Sequence, residues 1–347
     1  MSDAAATDAR PLDLLTMGRS SIDLYANDMG VPFEDIGSFA AYVGGSPTNI
    51  AVGTKRLGLN STVLTGVGDD KVGDFIETFL QREGIDTRHV VRKPGTRSTA
   101  VLLGIEEGRT PLVYYRATAP DVQLGIDDVI AANVASARAL EISGTGLAQQ
   151  PQAAATLFAA EEARRAGTTV FMDLDFRADQ WHDPRAFGVM VRAALRNVDV
   201  AIGTEEEINA AMLTNPGDLV IRDQQVSAPE VRGDLEANVR ALLAIPDGPE
   251  VLVVKRGSDG ASIHRRGEET GTPVAGYPVE VMNVLGAGDA FASGFIYGRL
   301  QGWSWVRSAQ LGNACGAIVV TRHGCANDMP SLEEVTSLVE QRGGFAP

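Results

Sequence analysis

Short apolar runs alternate with longer amphipathic stretches along most of this chain. The short runs predict buried strands at Leu12–Met17, Thr62–Thr65, Ala139–Ser143, Thr169–Asp173, Val198–Ile202 and Val251–Lys255. The stretches between them carry apolar residues at helical spacing and predict helices at Pro47–Leu57, Val72–Glu83, Pro151–Ala166 and Gly188–Leu195. Strands that alternate with helices are typical of an α/β fold with a mainly parallel sheet.

Two segments, about 23–43 and 96–119, interrupt this alternation. In the second, Ser98–Ile105 and Thr110–Arg116 flank the turn Glu106–Arg109, a pattern that predicts a β-hairpin. We expect these segments to form a small separate sheet. It would be a lid over the carboxyl ends of the parallel strands, where ligands of such folds bind.

The rest of the chain predicts one domain over residues 11–347. Residues 1–10 are small and polar and predict a disordered leader. Thr214–Gly233 is polar and carries prolines and glycines, which predicts a long surface loop.

The net charge of −15 restricts the possible partners. No basic stripe is present in the sequence, so we do not expect nucleic acid binding. A phosphate site would have to be built locally, from backbone N–H groups and a few Arg or Lys side chains. No apolar run reaches the roughly 18 residues of a membrane-spanning helix, and Cys315 and Cys325 lack metal-ligand spacing. We therefore expect a cytoplasmic protein without membrane contact or a disulfide framework.

The turn Gly286-Ala287-Gly288-Asp289 comes directly before a stretch with helical pattern. A glycine loop that opens a helix presents unpaired N–H groups and the positive end of the helix dipole, which favour an anion. Phosphoryl transfer needs such donors beside a base for the attacking hydroxyl. Taken alone, the turn fits an ordinary helix cap equally well. It lacks the Lys-Ser/Thr ending of a P-loop.

A second glycine turn, Gly44-Gly45, opens the predicted helix that contains Asn49. The glycines let another group approach the backbone closely. Asn49 would face the same cleft with an amide that both donates and accepts hydrogen bonds. Taken alone, this turn is more often a tight connection between a strand and a helix.

Together the two turns resemble the diglycine and Gly-Ala-Gly-Asp motifs of the ribokinase-like (PfkB) carbohydrate kinase family. The resemblance covers about residues 14–330 and includes 66–73, 254–261 and 313–317. It implies a ribokinase-like three-layer α/β sandwich with a mainly parallel central sheet and a small β lid. It also implies ATP-dependent phosphorylation of the primary hydroxyl of a sugar.

Further motifs resemble the branch of this family that acts on keto-deoxy sugar acids. One activity of that branch belongs to inositol catabolism. These motifs are Gly18–Tyr25, Tyr42–Asn49, Asp173–Arg177 with Trp181, and Gly203–Ile208. An acid substrate needs a cation for its carboxylate, and arginine suits that pairing. The candidates are Arg116, which shares a predicted strand face with Tyr114, and Arg177. Either arginine alone could equally be solvated at the surface.

The resemblance implies a role for each matching residue. Asp289 would be the base, with the N–H groups of Gly286, Ala287 and Gly288 around the transferring phosphoryl. Contacts to the sugar acid would come from Asp23, Gly44, Gly45, Asn49, Tyr114, Arg116 and Arg177. Contacts to ATP would come from Thr204, Lys255, Gly257, Gly260 and Asn313. Glu207 would hold Mg²⁺ through water.

Two departures from the family pattern bear on these roles. Thr204 stands where the family usually has Asn. Asn283-Val284-Leu285 stands where many members have Asp-Thr-Thr. The second departure leaves a K⁺ requirement open.

Other functions remain open at this point. The acceptor could be another keto-deoxy sugar acid, a neutral sugar as in fructokinases and ribokinases, or a nucleoside. A binding regulator without catalysis is the alternative from another class. The lid strands have edges that favour pairing with a second copy, so we expect a homodimer through the lid.

Overall fold

The computed structural model describes residues 10–106, 110–116, 118–221 and 229–345. Its strands are β1 (Leu12–Met17), β2 (Ser21–Ala26), β3 (Phe39–Gly44), β4 (Ser61–Gly68), β5 (Val90–Lys93), β6 (Thr99–Leu103), β7 (Leu112–Tyr115), β8 (Ala137–Ser143), β9 (Thr169–Asp173), β10 (Val200–Thr204), β11 (Leu219–Val220), β12 (Glu230–Val231), β13 (Val251–Lys255), β14 (Ala261–Arg265) and β15 (Thr272–Val274). Its helices are α1 (Ser46–Arg56), α2 (Lys71–Arg82), α3 (Ile126–Ala132), α4 (Gln152–Arg165), α5 (Pro184–Ala194), α6 (Glu205–Ala211), α7 (Leu235–Leu243), α8 (Ala287–Leu300), α9 (Trp305–Val319) and α10 (Leu332–Gln341).

In the described part of the chain, nine strands form the main sheet, in the order β15-β14-β13-β10-β9-β8-β1-β4-β5. Pairing is parallel from β13 across to β5, whereas β14 and β15 are antiparallel at one edge. All six predicted strands lie in this sheet. The central strands are nearly continuous apolar runs, as expected for strands that are buried on both faces.

Helices cover both faces of the main sheet, which gives three layers. Strand β8 shows the division, because its side chains alternate between the faces. Leu140 and Ile142 pack in the same apolar cluster as residues of α4 and α5. Ala139 packs on the opposite face, with Phe295 and Ile296 of α8.

A second sheet has the order β3-β2-β6-β7, and we call it the lid sheet. Its strands come from the two segments that interrupt the α/β alternation. Strands β6 and β7 pair antiparallel, so the two predicted strands of the hairpin are confirmed. Most of the predicted turn between them, residues 107–109, lies outside the described residues.

Several local predictions need correction. Strand β10 begins two residues later than expected and extends to Thr204. The segment Thr214–Gly233 is not only a loop, because β11 and β12 within it pair antiparallel; residues 222–228 lie outside the described range, as do residues 1–9. Strands β5, β14 and β15 were not predicted, because they are short strands near the sheet edges with mixed polarity.

Two further observations concern the expected location of the protein. Cys315 and Cys325 are buried free thiols. None of the helices in the described parts of the chain is long and apolar enough to cross a membrane.

Candidate active site

A pocket lies between the lid sheet and the first turns of α1 and α8, and we call it the central pocket. Its lining combines apolar residues of the lid sheet with charged residues from several elements. The lining residues are Arg19, Asp23, Tyr25, Gly45, Ser46, Asn49, Val101, Leu103, Leu112, Tyr114, Arg177, Leu285, Gly286, Asp289 and Cys325.

The first glycine turn, Gly44-Gly45, lets two segments of the pocket wall pack closely at the start of α1. Gly45 has a φ of 105°, which favours glycine. A Cβ on Gly44 would lie 1.9 Å from Asp23 Oδ2, and one on Gly45 would lie 2.2 Å from the carbonyl oxygen of Arg19. The two glycines therefore make room for the chain's own Asp23 and Arg19, in addition to any ligand.

The second glycine turn places Asp289 in the first turn of α8. Gly286 caps the helix with a φ of 80°. Asn49 Nδ2 donates a hydrogen bond of 2.7 Å to Asp289 Oδ2, so the two glycine turns meet. Burial and the nearby Asp175 raise the pKa of Asp289, and the bond from Asn49 offsets part of that rise. The arrangement gives a half-buried carboxylate at the N-terminus of α8, where helix N–H groups lack intrahelical partners.

Lys255 reaches the same helix end from β13. Its Nζ donates to both carboxylate oxygens of Asp173, at 3.1 and 3.0 Å, and lies 3.6 Å from Glu207 Oε2. A Cβ on Gly288 would stand 3.1 Å from this ammonium, so the glycine leaves room for it. Burial raises the pKa of Asp173 to about 7, although Lys255 acts in the opposite direction. The cluster puts a cation at the N-terminus of α8.

Thr204 and Glu207 form a capping box at the start of α6. The Glu207 N–H donates to Thr204 Oγ1 at 3.3 Å, and the Thr204 N–H donates to Glu207 Oε2 at 2.8 Å. Threonine and asparagine are both good N-cap residues, so the cap tolerates the Thr that stands where the family usually has Asn. A direct role of Thr204 toward ATP and of Glu207 toward Mg²⁺ stays a prediction.

Arg177 lines the central pocket and is paired with Asp175. Their ion pair measures 2.7 Å from Nη2 to Oδ1. Ser143 and Thr145 donate to the other oxygen of Asp175, at 2.8 and 3.1 Å. Burial alone would raise the pKa of Asp175, but Arg177 and the bond from Ser143 outweigh it, and the pKa is lowered. The pair therefore holds Arg177 in place.

Arg116 is not among the residues that line the central pocket, and its contact with the substrate stays a prediction. Arg116 forms a close ion pair with Asp121, which is fully buried, and donates to Gln180 Oε1 at 2.6 Å. Tyr114, which precedes it on β7, does line the pocket. The sequence pattern could not reveal this, because Asp121 lies beyond the strand and its burial depends on tertiary packing.

Arg19 is a pocket residue that our sequence analysis did not single out. It follows β1 and is only 7% exposed. Its guanidinium lies over the Tyr114 ring, 5.4 Å from the centroid. The sequence offered a sign of this residue, because Arg19 belongs to the motif Gly18–Tyr25, in which we assigned a role only to Asp23.

The residues predicted on the nucleotide side shape a turn next to β13. Gly257 and Gly260 have φ values of 55° and 92° in the turn between β13 and β14. Asn313 Nδ2 donates to the carbonyl oxygens of Val274 and Ala275, at 3.1 and 3.0 Å, and so ties α9 to the end of β15. These contacts hold the loops in position, and direct contact with ATP stays a prediction.

Asn283 holds the loop that precedes the second glycine turn. Its Nδ2 donates to the His323 carbonyl at 3.1 Å, and its Oδ1 accepts from the Leu285 N–H at 3.0 Å. The side chain that departs from the family's Asp therefore has structural partners of its own. A requirement for K⁺ stays open.

The profile of the pfkB family carbohydrate kinase matches residues 12–332. The chain therefore belongs to the pfkB family of carbohydrate kinases. The 5-dehydro-2-deoxygluconokinase of Geobacillus kaustophilus is 34% identical to it, over 97% of this chain and 96% of that protein. The protein of the same name from Shouchella clausii is 34% identical, over 96% of this chain and 98% of its own length.

Solved structures agree with this assignment. A PfkB protein from Polaromonas sp. is 27% identical and superposes with a TM-score of 0.75, covering 93% of this chain and 99% of its own. A fructokinase with bound ATP from Xylella fastidiosa has a TM-score of 0.81 at 24% identity, covering 95% of this chain and 98% of its own. The predicted ribokinase-like fold is confirmed.

Proposed function

We propose that this chain transfers the γ-phosphoryl group of ATP to the primary hydroxyl of 5-dehydro-2-deoxy-D-gluconate. The product would be the 6-phosphate, an intermediate of myo-inositol catabolism. The observation that carries this proposal is the half-buried Asp289 carboxylate, bonded to Asn49 in a pocket that also holds arginines. Relatives that carry the name of this activity, at 34% identity over nearly the full chain, support the choice of substrate.

The chemistry follows from the first turn of α8. The hydroxyl oxygen attacks the γ-phosphorus, the bond to the bridging oxygen of ADP breaks, and the hydroxyl proton goes to Asp289. The N–H groups of Gly286, Ala287 and Gly288, with the ammonium of Lys255, would offset the charge on the phosphoryl oxygens. A raised pKa makes Asp289 a stronger base than an ordinary aspartate.

Carboxylates near the phosphate position suit a hard cation. Asp173 and Glu207 supply the oxygen donors that Mg²⁺ prefers, and both are engaged by Lys255 in the described residues. Glu207 would hold Mg²⁺ through water, as the family resemblance implies. When bound, the ion neutralises charge on the phosphates of ATP.

The lid sheet would exclude water from the reacting groups. Its inner face presents Asp23, Val101 and Tyr114, which pair across neighbouring strands and line the pocket. Closing an apolar wall over the sugar would keep water from accepting the phosphoryl group.

The outer face of the lid sheet supports a homodimer. Residues paired directly across the strands share a face, and Leu24, Ala41, Leu102 and Val113 are paired in this way. Val113 and Tyr115 are 39% and 63% exposed. We therefore propose that a second copy covers this apolar face, as predicted from the strand edges.

A coupled assay of ADP release tests the proposed reaction. The substrate panel is 5-dehydro-2-deoxygluconate, 2-dehydro-3-deoxygluconate, fructose, ribose and adenosine, with ATP and Mg²⁺. We expect the highest kcat/KM with the first compound. A higher value with 2-dehydro-3-deoxygluconate would keep an acid kinase and change the substrate, whereas a neutral acceptor would overturn the proposal.

A further inference from the structure

The arginines that line the central pocket are Arg19 and Arg177, and their partners differ. Arg177 is neutralised by Asp175 at 2.7 Å. Arg19 has no carboxylate within ion-pair distance among the described residues. Its Nη1 donates to Ser21 Oγ at 3.0 Å, and its buried Nε has no hydrogen-bond partner.

Burial opposes the charge of Arg19, but Tyr114 and the carboxylate of Asp23 outweigh it, and the pKa of Arg19 is raised. Arginine stays charged even when it is buried, and a buried charge without an ionic partner carries a desolvation penalty. The nearby Asp23 does not pair with Arg19 directly, because Ser21 Oγ lies between them and donates to Asp23 Oδ1 at 2.6 Å. The ring of Tyr114 adds a cation–π contact to the same guanidinium.

The free edge of the guanidinium has a suitable shape for one class of ligand. Ser21 occupies Nη1, so the edge formed by Nε and Nη2 remains. Two parallel N–H donors on that edge match the two oxygens of a carboxylate. Of the arginines that line the pocket, Arg19 is therefore the one that makes no direct ion pair with a carboxylate among the described residues.

We propose that Arg19 binds the carboxylate of the sugar acid and sets the preference for acidic over neutral acceptors. This inference rests on the proposed function, and it names the group that selects the substrate class. It adds Arg19 to the arginines expected at the carboxylate; among these, Arg116 is ion-paired with Asp121.

The test compares wild type with Arg19→Met and Arg19→Lys, on 5-dehydro-2-deoxygluconate and on fructose. For Arg19→Met we expect kcat/KM on the acid to fall about 10²- to 10³-fold, mainly through KM, because a bidentate charged contact is lost. On fructose, which lacks the carboxylate, we expect a smaller loss, so the ratio of kcat/KM for the acid to that for fructose should fall at least about tenfold. Arg19→Lys keeps the charge but lacks the two parallel donors of the guanidinium. Its kcat/KM on the acid should therefore be about tenfold higher than that of Arg19→Met.

Stability separates binding from a structural role. Because Arg19 makes no direct ion pair among the described residues, the Tm of Arg19→Met should stay close to that of wild type. The matched control is Arg88→Met, the same change at a side chain that is 72% exposed. It should alter neither Tm nor the acid preference.

A second measurement uses competitive inhibition by gluconate and glucitol, which differ only in the carboxylate. Wild type should bind gluconate at least about tenfold more tightly, and Arg19→Met should lose that difference. If Arg19→Met keeps the preference for acids, or loses Tm and both activities together, the inference is overturned. If wild type itself prefers neutral acceptors, the proposed function fails instead.

Discussion

The charged groups around the central pocket fall into two sets. Lys255 and Arg177 have ionic partners within about 3 Å, namely Asp173 and Asp175. Among the described residues, Asp289 and Arg19 make no direct ion pair, and they bond to the neutral side chains of Asn49 and Ser21. Paired groups are fixed by the protein itself, whereas the other two keep their charge for a substrate.

This difference assigns tasks to the two sides of the pocket. Asp289, in the first turn of α8, would act on the hydroxyl at one end of the sugar. Arg19, next to the lid sheet, would act on the carboxylate at the other. Of the paired groups, Lys255 would act on the phosphates at the start of α8, and the ion pair with Asp175 would hold Arg177 at the sugar acid. Substitutions that change one of the two sets at a time separate these tasks.

Asp289→Asn should have the largest effect on activity. It removes the base while the amide keeps the size of the side chain, so kcat should fall by about 10³-fold. Binding of ATP, measured by calorimetry, should stay within about threefold of wild type. A kcat within tenfold of wild type would mean that Asp289 is not the base.

Lys255→Met should lower both activity and stability, because it removes the ion pair with Asp173. Asp173 would be left buried without its cation, which should lower the free energy of unfolding by roughly 3 kcal/mol in urea titrations. The double variant Lys255→Met with Asp173→Asn should regain most of the stability but not the activity. Recovery of activity in the double variant would show that Lys255 serves only to pair Asp173.

Asn49→Ala should change the pH dependence more than the maximal rate. The amide of Asn49 bonds to the charged form of Asp289 and so lowers its pKa. Because the base must be ionised, removing that bond should move the acid limb of the kcat profile toward higher pH. The plateau should stay within about tenfold of wild type. Asn27→Ala, at an exposed asparagine, is the control, and an unshifted limb in Asn49→Ala would contradict the assignment.

Tyr115→Lys should have the smallest effect on chemistry, because it touches neither set. A charge on the outer face of the lid sheet should dissociate the proposed dimer, as measured by light scattering after gel filtration. Ile130→Lys is a matched control, since Ile130 is 60% exposed on α3, against 63% for Tyr115. A dimer that survives Tyr115→Lys would argue against this interface.

Local patterns predicted much of the fold. Strands β1, β9 and β13 begin and end where the apolar runs do, because central parallel strands are apolar throughout. Strands β14 and β15 at the sheet edge escaped prediction, since their neighbours and not their sequence determine the pairing. The prediction of one domain over 11–347 remains a prediction.

Sequence reasoning was less complete for the site. The motifs identified both glycine turns, and the structure brings them together through Asn49 and Asp289. The choice among arginines could not be made from sequence, because it depends on which of them meets a carboxylate in the folded protein. Arg116 meets Asp121, and Arg19 meets none among the described residues.

The position of the new phosphate tests the account most directly. Wild type is incubated with ATP, Mg²⁺ and 5-dehydro-2-deoxygluconate, and the product is examined by proton-coupled phosphorus NMR. A phosphate on a primary carbon couples to two protons, so we predict a triplet from the phosphorylated acid. A doublet, from a phosphate on a secondary carbon, or the absence of any phosphorylated acid would contradict the account.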